Sequence, residues 1–202
     1  MHIEFLVEEP SAEAALNNLV PMIIGPGISH NIHVFQGKPD LINNLPKRLR
    51  GYRKWLPSDW RIVVLLDGDR EDCISLKRKL EKMAHNEGLI TRSNTGPDGR
   101  FQVINRIAIE ELEAWFFGDV QAIKMAYPRV PKGLDRRKNY RNPDAIQSAW
   151  EALERVLKRA GYYLSGLPKV ETARRISAYM DPWCNTSKSF RAFRDALQEM
   201  VI

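Results

Sequence analysis

Two acidic clusters stand out by residue type and spacing. Asp67 and Asp69 flank a glycine at the end of the apolar run Val63-Val64-Leu65-Leu66, and Glu8-Glu9 closes a second run, Ile3-Glu4-Phe5-Leu6-Val7. Both runs have the length and composition of buried strands. In an extended chain, residues two apart point the same way, so the charges of Asp67 and Asp69 are expected to crowd where the strand emerges. Carboxylates held that closely repel, and a shared proton or a bound divalent cation relieves them. Two strand ends, each offering acid, predict one Mg²⁺ or Mn²⁺ site at the top of a sheet. Each signal alone has an ordinary reading. Asp and Gly form turns wherever strands end, and Glu8 could serve as a helix cap.

The elements around these acids alternate. Strands are expected over residues 2–8, 32–35, 61–66 and 101–109, with 89–91 as a further short one. Helices are expected over 11–20, capped by Ser11, over 41–54, capped by Asp40, and over 71–86. Residues 21–31 read as a loop, and Ser93 to Arg100, with Gly96, Pro97 and Gly99, as a turn or mobile loop. Glu110-Glu111-Leu112-Glu113 opens another helix with the acids its dipole favours. Strand–helix alternation implies parallel βαβ units, an α/β sheet, and ligands at the carboxyl ends of strands, where Glu8, Asp67 and Asp69 fall. Beyond residue 119 the pattern is helical, over 119–126, 143–160, 168–180 and 187–200. The aromatics there, Trp150, Tyr162, Tyr163, Trp183 and Phe190, read mostly as core. The expected organisation is a metal-binding core over 1–118 and a helical, basic extension over 119–202 packed on it.

The charge is as uneven as the pattern. The 202 residues carry a net +6, yet residues 1–119 hold 15 Lys and Arg against 17 Asp and Glu, −2, and residues 120–202 hold 16 against 8, +8. Bases for phosphates and acids for the metal that works on them would suit a polyanionic partner. Lys132, Arg136, Arg137, Lys138 and Arg141 form a dense basic loop with Tyr140 interleaved. Phosphate contacts plus stacking would suit RNA or DNA, and a merely solvated loop is the alternative. Two distant cysteines, Cys73 and Cys184, make neither a disulfide framework nor a zinc cluster and fit a reducing cytoplasm. No signal-peptide pattern and no membrane-length apolar run is present. His2, His30, His33 and His85 lack ligand spacing. No Gly-rich Walker loop points to a nucleotide-triphosphate engine, and no Ser or Cys elbow points to a covalent nucleophile.

The order of motifs resembles the Toprim fold, shared by topoisomerases, primases and the nucleases linked to overcoming-lysogenization-defect ATPases. Val7-Glu8-Glu9-Pro10-Ser11-Ala12-Glu13 stands where that fold ends its first strand in Glu, with Glu9 in place of the usual Gly. Leu65-Leu66-Asp67-Gly68-Asp69 stands at its Asp-x-Asp. With Glu111-Leu112-Glu113-Ala114-Trp115-Phe116, the chain is similar to small bacterial Toprim-like proteins of unknown function encoded beside AAA- or ABC-type ATPases in phage-defence loci. The resemblance implies Glu8 as general base or metal ligand and Asp67 and Asp69 as Mg²⁺ ligands. It makes Asp72 and Glu113 candidates for a second metal or its outer shell, although Asp72 also reads as a helix-start acid and Glu113 as dipole compensation. Lys169, in Gly166-Leu167-Pro168-Lys169, resembles the late lysine of the nuclease members and could neutralise a transition-state phosphate, or be simply solvated.

Neither the separate tyrosine domain of a topoisomerase nor the further domains of a primase are expected within these 202 residues. The expected activity is therefore a Mg²⁺-dependent nuclease acting as the effector of an ATPase-coupled defence system. The alternative is a catalytically silent subunit that binds an ATPase. A phosphatase or phosphotransfer receiver fits the acids less well, since the lysine a receiver needs after a late strand is not found. Monomer and homodimer stay open, as do DNA and RNA.

Overall fold

The computed structural model describes residues 1–96 and 99–201; Pro97 and Asp98, in the expected turn, lie outside them. Four strands form one parallel sheet: β1 (His2–Val7), β2 (Ser29–Val34), β3 (Trp60–Asp67) and β4 (Val103–Ala108), in the order β2-β1-β3-β4. The two central strands, β1 and β3, are the apolar runs that end in acid. They are buried on both faces, which is why they read as continuous rather than alternating hydrophobic segments. The edge strand β2 is largely polar and half exposed.

Alternation along the central strands divides the core in two. Ile3, Phe5, Val7, Val63 and Leu65 face one cluster with α1 (Pro10–Ile24). Leu6, Ile62, Val64 and Leu66 face the other, against α2 (Lys38–Trp55) and α3 (Cys73–Asn86). The buried stripe of α2 is Leu41, Leu45, Leu49 and Tyr52, at helical spacing. In α3, Asp72 caps the first turn by accepting from the Ser75 amide at 2.6 Å. From β1 the chain winds to one side of the sheet and from β3 to the other. The crevice between their carboxyl ends is thus the topological switch point, where ligands of such sheets bind.

Several expected boundaries moved. Helix α1 continues through Pro21 to Ile24, because Ile23 and Ile24 are buried in the core and their burial outweighs the hydrogen bond that Pro21 cannot make. Ser11 does not cap it: its hydroxyl donates to Glu9 at 2.6 Å, and Glu9 holds the N-cap position without a side-chain cap bond. Strand β2 begins at Ser29, since pairing with β1 runs from His2–Ser29 to Val7–Val34 and the ladder imposes strand on a polar segment. Helix α2 starts at Lys38 behind Gly37, and Asp40 bonds the Gln36 amide at 2.9 Å from within the first turn. Of residues 89–91, only Thr91 bridges β4.

The second half is helical: α4 (Glu113–Phe117), α5 (Val120–Ala126), α6 (Ala149–Arg159), α7 (Lys169–Ser177) and α8 (Lys188–Val201). Residues 143–148 hold only a 3-10 turn before α6. These helices share one apolar cluster with α1 and the sheet, through Trp115, Leu153, Ile176, Phe190 and Phe193. The rings of Trp115 and Phe190 pack edge to face, 5.2 Å apart. Asn185 crosses beneath Gly118, where a Cβ would stand 2.0 Å from its Oδ1, so only glycine fits. Trp183, expected in the core, is 58% exposed, its ring covered on one side by Arg194. Among the described residues no helix is long and apolar enough to cross a membrane.

Candidate acidic site at the strand switch point

Glu8 and Asp67, at the ends of β1 and β3, are both buried. Glu8 Oε2 lies 3.5 Å from the Asp67 amide. Burial, then the charges of Asp69 and Glu9, push the Glu8 carboxyl up to about 7. Asp67 is raised well above the usual range by burial first, then by Glu113 and Glu8. Its Oδ1 accepts from the Leu112 amide at 2.9 Å, which docks the start of α4 over the end of β3 and carries Glu113 into the site. Glu113 is fully buried and neither of its carboxylate oxygens accepts a hydrogen bond. Burial raises it to about 7, against the pull of Lys169.

Asp69 does not stand beside Asp67 as an extended chain would place it. Strand β3 ends at Asp67, and Asp69 and Arg70 both adopt left-handed backbone, φ 48° and 67°. Such conformations cost non-glycine residues roughly 1–2 kcal/mol each and persist only when neighbours fix them. Here the Gly68 amide donates to Ala108 O at 2.8 Å and the Asp69 amide to Glu110 O at 2.9 Å. A Cβ on Gly68 would lie 3.3 Å from that Ala108 oxygen. The turn leaves the Asp69 carboxylate half exposed and paired with Lys38 Nζ at 2.8 Å. The strongest like-charge pressure on Asp67 therefore comes from Glu113 and Glu8.

Two lysines balance the acids in part. Lys38 opens α2 and also reaches Gly68 O at 3.2 Å and Glu71 at 3.1 Å. It arrives because the Gly37 amide is bonded to Glu8 O at 2.8 Å, tying the β2–α2 connection to the end of β1. Lys169 opens α7, donates to Glu9 at 2.5 Å, lies 3.8 Å from Glu113 and rests on the Trp150 ring at 5.6 Å. Burial disfavours its charge, but Glu113 and Glu9 outweigh this and hold it firmly protonated. Glu111 accepts from the Trp150 amide at 2.7 Å and so fixes the start of α6.

The structure thus gathers Glu8, Asp67, Glu113 and Lys169, with Asp69 at the rim, but leaves Asp72 capping α3 on the surface. Sequence reasoning passed over Lys38 and gave Glu9 no role. Lys38 follows the strand that pairs with β1, and that position alone would have pointed to it. The basic residues Lys132, Arg136, Arg137, Lys138 and Arg141 are all exposed and form no ion pair among the described residues. Tyr140, expected among them as a stacking platform, is instead buried and stacked on Phe117, centroids 5.1 Å apart and planes 5° apart. His2 and His33 are satisfied histidines, both bonded to the buried Glu4.

The acid set fits a hard divalent cation. Glu113 is a buried carboxylate with no donor, and Glu8, Asp67 and Asp69 add oxygen ligands around too little positive charge. Among the described residues no three His, Cys, Asp or Glu side chains converge closely enough to cage an ion. Mg²⁺ is commonly held by one or two carboxylates, with water and phosphate completing its shell.

Fold and site define the class: a doubly wound parallel α/β protein with an acidic, lysine-flanked cluster at its switch point. Residues 7–198 match the family described as "Domain of unknown function (DUF4276)", and the chain belongs to that family. Among solved structures it is similar to the C-terminal region of the Burkholderia pseudomallei OLD protein, with a TM-score of 0.46 and 15% identity, over 99% of this chain and 98% of that one. A comparison with curated proteins found no match.

Proposed function

We propose that the chain is a Mg²⁺- or Mn²⁺-dependent nuclease that hydrolyses phosphodiester bonds of DNA or RNA at the switch point between β1 and β3. The observation that carries this reading is the buried, under-compensated set Glu8, Asp67 and Glu113, with orphaned oxygens on Glu113. Asp67 and Glu113 would hold the cation, with water and phosphate completing its shell, and Asp69 would face it from the rim, leaving Glu8 free to act as base. Bound there, the cation would supply charge neutralisation at the phosphate and a more acidic attacking water. Glu8, near pH 7 in its proton affinity, can take a proton from that water. Lys169 keeps a positive charge against the developing phosphorane, and its bonds to Glu9 and Trp150 fix its position. The exposed loop Lys132–Arg141 offers cations to flanking phosphates. The Toprim resemblance extends the reading to an effector in a phage-defence system, coupled to an AAA- or ABC-type ATPase.

The test is cleavage of plasmid, single-stranded DNA and total tRNA by purified protein with Mg²⁺, Mn²⁺ or EDTA. Asp67→Asn should lower cutting by at least about 100-fold while leaving the circular-dichroism spectrum unchanged. Full cleavage by that variant would overturn the assignment. No cleavage with a co-purified ATPase present would favour a silent subunit instead.

A further inference from the structure

Beside the acid site, the outer edge of β4 forms the floor of a groove walled by α3 and α8, with a cavity of about 540 Å³. Four cations line it: Lys77 and Arg78 from α3, Arg106 from β4 and Lys188 from α8. None of the four forms an ion pair among the described residues. Arg106 is held over the groove by donating to Ala192 O at 3.0 Å and Asn105 O at 3.1 Å. The single acid of the lining, Glu81, uses one oxygen to accept from the Asn105 side-chain Nδ2 at 2.9 Å. Its other oxygen and the Asn105 Oδ1 are buried without any donor. The groove therefore presents excess positive charge for an anion and two unfilled acceptors for N–H or O–H groups. Burial, then the neighbouring Arg106, press Lys77 toward losing its proton, only partly offset by Glu81.

The groove and the acid site meet at the end of β4. Ile107 and Ile109 line it, and between them Ala108 accepts from Gly68, the residue joining Asp67 to Asp69. Resting on the nuclease reading above, we infer that this groove carries the substrate as a single strand, with phosphates on Lys77, Arg78 and Lys188 and an unpaired base edge on Asn105 and Glu81. An unpaired base can turn its whole Watson–Crick edge, amino and ring N–H together, to those acceptors, whereas a duplex commits that edge to pairing. This track lies on α3, β4 and α8, elements that the basic loop 132–141 does not include.

The test measures anisotropy of short labelled single strands, as DNA and as RNA, and of a matched duplex. It uses Asp67→Asn protein, so that binding is read without cleavage. The triple substitution Lys77→Gln, Arg78→Gln and Lys188→Gln should weaken single-strand binding at least tenfold and reduce the salt slope by about 2, at roughly 0.7 per lost phosphate contact. Arg78→Glu with Lys188→Glu, both exposed, repeats the test should the triple variant fold poorly. Lys47→Gln with Lys54→Gln, exposed on α2, controls for net charge and should leave the slope unchanged. Groove variants that bind like the parent, equal preference for duplex, or displacement by polyglutamate as effective as by nucleic acid would each overturn the inference. Cleavage by wild type with unaltered groove variants would sink the groove and spare the nuclease. Groove-dependent binding without any cleavage would do the reverse.

Discussion

Replacing Glu113 by Gln should stabilise the protein while disabling it. Raising the carboxyl from 4.5 to about 7 makes its ionised form about 3 kcal/mol costlier in the fold than in the unfolded chain. That figure already includes the attraction of Lys169. Between these two pH values the native state holds a proton that the unfolded chain has released, so this group's contribution falls as pH rises through the interval. Glu113→Gln removes the fall. The expected gain over wild type is about 3 kcal/mol at pH 8 and under about 1 kcal/mol at pH 5. For a chain of 202 residues the larger value corresponds to a melting temperature higher by about 6–12 °C. Magnesium should nearly close the gap at pH 8 and reverse the ranking at pH 5, where the variant gains under about 1 kcal/mol. At 100 times its dissociation constant it stabilises wild type by about 2.7 kcal/mol, and most of that shift should vanish in the variant. Scanning calorimetry at both pH values, with Mg²⁺ or EDTA, reads all four conditions. A gain that is absent at pH 8, or equal at pH 5 and pH 8, refutes the argument that Glu113 is an uncompensated buried charge.

Three further perturbations probe other parts of the argument. Lys169→Met should lower the cleavage rate by about 10²–10³-fold without raising the Mg²⁺ concentration required, a separation visible in a metal titration of initial rates. Gly118→Ala places a methyl against Asn185 and should cost about 1–3 kcal/mol, read as a lower urea midpoint. Tyr140→Ala should cost about 3 kcal/mol through lost packing on Phe117, whereas Tyr140→Phe should leave single-strand affinity unchanged, because the ring faces the core.

The central strands and their terminal acids were readable because burial on both faces leaves continuous apolar runs that stop abruptly at charge. Glu8 and Asp67 needed no further information. Asp69 misled, since the spacing rule for strands fails once the chain leaves the ladder, and the left-handed turn depends on amides bonded to Ala108 and Glu110 far along the sequence. Strand β2 was undervalued for a related reason: Ser29 and Asn31 are strand only because β1 offers them a ladder. Lys38 and Glu9 gained their places through tertiary contacts with Asp69 and Lys169, which no local pattern records. The groove cations Lys77, Arg78, Arg106 and Lys188 sit on three different elements and only meet once β4 lies between α3 and α8.

The bond between Glu9 and Lys169 joins residues 160 positions apart. A ribosome emits the first partner long before the second, so a nascent chain can raise the acids of β1 and β3 without the lysine that belongs among them. Helix α7, which brings that lysine, packs on α1, and α8 closes over β4 with the final residues of the described chain. The site is therefore whole only once α7 has emerged and docked on α1. On the nuclease reading proposed above, a nascent chain that has not yet reached residue 169 would present the acids to the ribosome's RNA without the lysine proposed to neutralise the phosphate.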